Sequence, residues 1–224
     1  MIAYSLPLAL NDTATLVSRL PSVWGVWRKR RLDPHIREEV MVAVAAAVGC
    51  RYCTFSHREM VLQSGESLIA LAEFEQIRNP DERVFAAVIW AQAKVEADFG
   101  SVPAAIEGEL RARYNEQECR DIQTVAIAMK LMSSCGHEAD GLVGQLKGQS
   151  AKRGNLANQT LMAFLYFPPA ILVYLSLALK RGSARSLLAD FRRFSSEFQP
   201  CGSASRPAPA ETPHTHAVTS SPVR

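Results

Sequence analysis

The chain has 224 residues, 48% of them hydrophobic and 21% charged, and its 25 basic against 22 acidic side chains leave a formal net charge of +3. That is material for one substantial core, or one core plus an appendage. It is too little positive charge to argue for a nucleic-acid partner, and phosphate-cradling patterns (GxGxxG, or GxxxxGK followed by Ser or Thr) are absent.

Met1 to Leu10 is mildly apolar but lacks a basic start, and Asn11-Asp12-Thr13 follows at once, which does not read as a secretory signal. The expected compartment is the cytoplasm. The cysteines are odd in number (Cys50, Cys53, Cys119, Cys135 and Cys201), so a structural disulfide framework is not expected.

In chain order, residues 12 to 31 read as an entry helix or two short pieces interrupted at Pro21. The first strong helix opens at Asp33-Pro34, where aspartate can cap free amides and proline suits the first helical position. Ile36, Val40, Val44 and Ala47 follow at helical spacing, and Gly49 is a natural stop. A second helix runs from near Cys50 through His57 to Met60 and Val61. Further helices are predicted at Leu68 to Ile77, Pro80 to Asp98, Pro103 to Tyr114 and Glu116 to Ser133. Alternation at period two is nowhere sustained, so the fold class is all-α, a helical bundle. The expected division is a helical domain over 1–150, an apolar helical extension over 151–198, and a disordered Pro/Ser/Ala/Thr-rich tail over 199–224.

Cys50 and Cys53 lie three apart, and Cys53 and His57 four apart, which on a helix puts all three on one stripe. That is the arrangement thiol chemistry needs: one sulfur attacks, the second resolves the product as a disulfide, and the imidazole takes the proton. With Gly49 ending the preceding helix, both cysteines fall in a first turn, where free amides and the helix dipole favour a thiolate. A structural zinc site could use Cys50, Cys53 and His57 with Cys119, Cys135 or His137, yet zinc sites ordinarily draw on two separated pairs. Thr54 directly after the second cysteine excludes c-type haem attachment. A thioredoxin fold lacks its βαβ pattern here, and two buried core cysteines at a chance spacing is the bland alternative. Glu38, 12 residues before Cys50, is the next candidate, with Glu39 competing for the same role.

The stretch Arg37-Glu38-Glu39-Val40, the Ala-rich run after it, Gly49-Cys50-Arg51-Tyr52-Cys53 and His57 together resemble the alkyl hydroperoxidase D-like branch of the carboxymuconolactone decarboxylase family. The resemblance covers roughly residues 20 to 145. It implies an all-helical oligomer, a trimer or hexamer. It implies Cys53 as the peroxide-attacking thiolate, Cys50 as the resolving thiol, His57 as proton acceptor and Glu38 as the group that polarises it. The best-known members place a histidine directly before the second cysteine, where this chain has Tyr52. The implied reaction is reduction of a hydroperoxide to an alcohol, or of a partner's disulfide. An external dithiol or protein thiol serves as reductant, with no bound cofactor and no metal. The alternative is a helical oligomeric redox-sensor or metal-binding module without turnover.

Leu161 to Leu179 runs nineteen residues without a formal charge, the lower limit for a membrane span, with basic residues on both flanks. Pro168-Pro169 in its middle predicts two short apolar helices packed on the core or at a subunit interface. A membrane-anchored or interfacial segment is the alternative. Arg28-Lys29-Arg30-Arg31 reads as the basic end of a helix rather than a membrane contact. Cys119 and Cys135 read as core or helix-face residues, Cys201 as exposed and unrelated to catalysis, and His214 and His216 as tail residues.

Overall fold

The structure, a computed structural model, describes residues 4–65, 68–70, 81–148 and 155–198. Among these it shows nine α-helices and no strand. The expected tail over 199–224, with Cys201, His214 and His216, lies outside the described residues. So does most of the helix expected at Leu68 to Ile77, whose described part, 68–70, is not helical.

The entry segment forms α1 (Leu6–Ser18) and α2 (Leu20–Trp27), parting at Arg19 with Pro21 in the first turn of α2. Proline's missing N–H is harmless there, so it starts a helix rather than interrupting one. Next comes α3 (Pro34–Val48), where the Asp33 carboxylate accepts from the His35 amide as the capping pattern requires. Val40, Val42, Ala43, Val44 and Ala45 are wholly buried, so α3 is apolar on nearly every side and forms the centre of the molecule. Each buried valine contributes about 1.5–3 kcal/mol relative to exposure. Packed on α3 are α4 (Arg51–Gln63), α5 (Glu82–Glu96) and α7 (Glu116–Leu146). The short α6 (Ala104–Arg113) sits against α5.

The third of these, α7, opens with a reciprocal capping box between Asn115 and Glu118. It continues well past the expected end at Ser133. Gly136 and Gly141 weaken helix propensity in that stretch, but both lie where a neighbouring helix comes close. An added Cβ would stand 2.7 Å from Cys50 Sγ at Gly136 and 2.6 Å from Gln159 Nε2 at Gly141. Close packing there outweighs the propensity loss of about 1 kcal/mol per glycine.

The apolar segment departs from expectation. Instead of breaking at Pro168-Pro169, α8 (Leu156–Arg181) runs through both prolines and packs along α7. Prolines at 168 and 169 cannot donate to the carbonyls of 164 and 165, a cost of about 3 kcal/mol or more. Residues 164 and 165 lie on the outward side of the helix, where Phe164 is 76% exposed. The inward side is anchored before the prolines by Met162, Ala163 and Tyr166 and after them by Leu177, all buried. Tertiary packing on both sides of the weak point therefore holds the helix together. Its outward face carries Leu172 and Leu179 at 69% and 81% exposure, and it is the one described helix long and apolar enough to cross a membrane. The last helix, α9 (Ala184–Glu197), folds back so that Leu187, Phe191 and Phe194 pack around Phe55 and Leu177.

Candidate active site

Gly49 ends α3 in the left-handed conformation, with φ 83°, and its amide donates to the carbonyls of Ala45 and Ala46 at 3.0 and 3.1 Å. The turn delivers Cys50 in an extended conformation, one position before α4 rather than inside its first turn as the spacing suggested. Cys50 Sγ accepts from the Cys53 amide at 3.5 Å, so a sulfur fills the capping role usually taken by a serine or aspartate oxygen. Cys53 sits inside the first turn, among amides that carry the positive end of the helix dipole. Both are free thiols, 1% and 5% exposed respectively.

His57, one turn further along α4, meets Glu38 of α3: its Nδ1 lies 2.7 Å from Glu38 Oε2. The other Glu38 oxygen accepts from Arg37 at 2.7 and 3.0 Å. Burial alone would raise the Glu38 pKa, but the His57 and Arg37 contacts outweigh it and hold the carboxyl below its ordinary value. An ionised carboxylate only accepts, so Nδ1 carries a proton and Nε2 is left as the basic nitrogen of His57. Glu39 plays a different part. Fully buried, it accepts from the amides of Ile69 and Ala70 at 2.7 and 2.8 Å and holds that loop against α3. The competition between the two glutamates thus resolves by geometry: Glu38 faces the histidine and Glu39 faces the backbone.

Cys53, Ser56, His57, Tyr166 and Tyr174 line a cavity of about 260 Å³, walled by Trp27, Met41, Met129, Met132 and Val173. No Lys, Arg, Asp or Glu lines it. Cys50 lies outside this lining, behind Cys53. Tyr166 OH stands 3.6 Å from Cys53 Sγ. Burial pushes the Cys53 thiol up. Hydrogen bonds with Cys50 and Tyr166, the electrostatic influence of His57 and the nearby Ser133 hydroxyl more than reverse this, bringing it down to about 7. The Cys50 thiol moves the opposite way, well above its ordinary value, chiefly through burial and then through its contact with Cys53. The two sulfurs therefore divide into one readily ionised thiol open to the cavity and one protonated thiol sealed behind it.

Tyr52, between the cysteines, points elsewhere. Its hydroxyl donates to Asp140 at 3.1 Å, its ring stacks on Phe191 at 5.3 Å, and its carbonyl accepts from Tyr174 at 3.0 Å. Arg51 bonds Asp140 at 2.5 Å and Ser195 at 2.7 Å, so residues 51 and 52 tie the start of α4 to α7 and α9. Sequence reasoning missed Tyr166 and Gly136. Tyr166 lies within the uncharged run Leu161 to Leu179, where a tyrosine hydroxyl, once buried, needs a partner and so signals a polar site.

The remaining candidates lie apart from this site. Cys119 is half-buried, 3.7 Å from the Tyr114 carbonyl. Cys135 is buried 3.6 Å from Met162 Sδ, and burial, followed by neighbouring negative charge, pushes its thiol up to about 12. In the basic cluster all four side chains are exposed, and Arg31 also makes a two-pronged ion pair with buried Asp121 at 2.6 and 2.7 Å. Among the described residues no group of three or more His, Cys, Asp or Glu side chains is placed to hold a metal ion.

Residues 22–93 match the model of the carboxymuconolactone decarboxylase family. No curated protein and no solved structure matches the chain. The matched stretch contains Glu38, Cys50, Cys53 and His57; Gly136 and Tyr166 fall outside it.

Proposed function

We propose, from the match of residues 22–93 to the carboxymuconolactone decarboxylase family model and from the site geometry, a thiol peroxidase of the alkyl hydroperoxidase D-like type. Its substrate is an uncharged organic hydroperoxide. One observation carries this reading: the more acidic of two neighbouring thiols, Cys53, opens onto an apolar cavity beside a histidine–glutamate pair, with the second thiol sealed behind it. An apolar wall without charged side chains suits a neutral organic peroxide better than an ionic one.

In the proposed cycle His57 Nε2 accepts the Cys53 proton, and Glu38 stabilises the imidazolium through Nδ1. The Cys53 thiolate attacks the outer peroxide oxygen. An S–O bond forms, the O–O bond breaks, and the leaving alkoxide takes the proton and departs as an alcohol. Cys53 is then a sulfenic acid. The Cys50 sulfur attacks it, an S–S bond forms and the S–O bond breaks with release of water. An external dithiol reduces the Cys50–Cys53 disulfide and is itself oxidised to a disulfide. The cysteine–histidine–glutamate set is the nucleophile, base and orienting group that activated-nucleophile catalysis calls for.

The test is peroxide consumption by the full chain with excess dithiol, followed by mass spectrometry of peptides from protein treated with peroxide alone. The expected results are many turnovers per chain and a Cys50–Cys53 disulfide as the main oxidation product. A single equivalent of peroxide consumed despite excess dithiol would replace the enzyme with a sensor.

A further inference from the structure

We propose that Tyr166 is a catalytic residue: its hydroxyl, delivered by α8, donates a hydrogen bond to Cys53 Sγ and holds the sulfur as a thiolate aimed into the cavity. The proposal builds on the thiol-peroxidase reading but concerns the state of the sulfur itself, before any peroxide is present.

The argument starts from the cost of burying a hydroxyl. Tyr166 is 3% exposed, and the hydrogen bond it makes among the described residues is the one to Cys53 Sγ. A neutral thiol is a weak acceptor, so a buried phenol spent on it would be left nearly unsatisfied, at a cost of about 1–3 kcal/mol. A thiolate removes that penalty, because a hydrogen bond to an ionised acceptor is roughly twice as strong as a neutral one. The arrangement is therefore favourable in the ionised state and poor in the neutral one. Tyr166 is itself held as a donor, since burial and then the adjoining sulfurs push its hydroxyl far above the usual tyrosine range.

The surrounding helices are shaped for this contact. At Gly136 of α7 a Cβ would meet Cys50 Sγ at 2.7 Å and Tyr166 Cε2 at 2.9 Å, both closer than real Cβ atoms come. The absence of a side chain there lets the sulfur and the ring enter the same space. Continuity of α8 through Pro168-Pro169 keeps Tyr166 in register with Val173 and Tyr174, which line the same cavity. The donor thus comes from a helix beyond the family-matched stretch.

The test is the pH dependence of iodoacetamide alkylation at Cys53, read peptide by peptide by mass spectrometry in the full chain. The native profile is expected to have its midpoint near pH 7. In Tyr166→Phe it should rise by about one unit, which below both midpoints means roughly tenfold slower alkylation. Protection of buried Cys135 in the same digest reports whether the variant is folded. If Tyr166→Phe does not fold, 3-fluorotyrosine at position 166 serves instead; its more acidic hydroxyl should lower the midpoint. A midpoint unmoved in a folded variant, or unmoved by the fluorinated residue, overturns the proposal. No peroxide enters the measurement. A shifted midpoint in a protein that turns over no peroxide would keep the Tyr166 contact and discard the peroxidase reading.

Discussion

Cys53→Ser is expected to reduce hydroperoxide turnover to the uncatalysed background, a loss of about a thousandfold or more, because an alkoxide is not accessible near neutral pH and serine offers no thiolate. Cys50→Ser should behave differently. Its Cys53 still opens onto the cavity beside His57, so the first peroxide should be reduced once, and the sulfenic acid should then persist without its resolving thiol. Stopped-flow peroxide consumption combined with dimedone labelling separates the two: no burst and no label for Cys53→Ser, a burst of one equivalent and a labelled Cys53 for Cys50→Ser. A burst with a labelled Cys50 in Cys53→Ser, and none in Cys50→Ser, would reverse the roles of the two sulfurs. The asymmetry rests on the site itself, since Cys53 lines the cavity and Cys50 lies sealed behind it.

His57→Ala is expected to lower the second-order rate with peroxide by about 10²–10⁴-fold, the usual contribution of a positioned general base. Glu38→Gln should cost less, because Glu38 is a positioning residue that acts through His57 Nδ1. The two losses should not add: in the double variant the rate should fall no further than in His57→Ala alone. The sign of the pH effect follows from the lowered pKa of Glu38. A carboxylate depressed in the folded state contributes stability above its unfolded pKa, and that contribution fades as pH falls through the folded value. The Glu38 carboxylate therefore keeps its contact with His57 to a lower pH than a carboxylate at its ordinary value would. Denaturant stabilities of the native chain and Glu38→Gln against pH check this: the advantage of the native chain should shrink as pH falls through the folded Glu38 value.

The parts of the site that the sequence exposed are those whose chemistry is local. Asp33, Pro34 and Gly49 mark the ends of α3 because capping and left-handed turns need particular residues within a few positions. Glu38, Cys53 and His57 stand out because α3 and α4 are joined by a tight turn, so their positions along the chain nearly determine their positions in space. The end of α7 and the continuity of α8 were not legible. Both depend on packing between helices distant in sequence, which outweighs the local signals of glycine and proline. Tyr166 escaped for the same reason: it lies 113 positions from Cys53, and only the alignment of α8 on α7 and α4 brings the two together. Cys50 also differs slightly from its expected place, since spacing on an ideal helix cannot tell a cap from a first turn.

Of the two thiols, Cys53 is the one that lines the cavity. Among the described residues, Cys53 reaches the cavity walled by Trp27, Met132 and Val173, and buried Cys50 does not, so in the proposed cycle oxidant and electron donor meet the same sulfur. The two half-reactions must therefore alternate. Double-displacement kinetics follow, with parallel lines in reciprocal plots and each substrate competing with the other at high concentration.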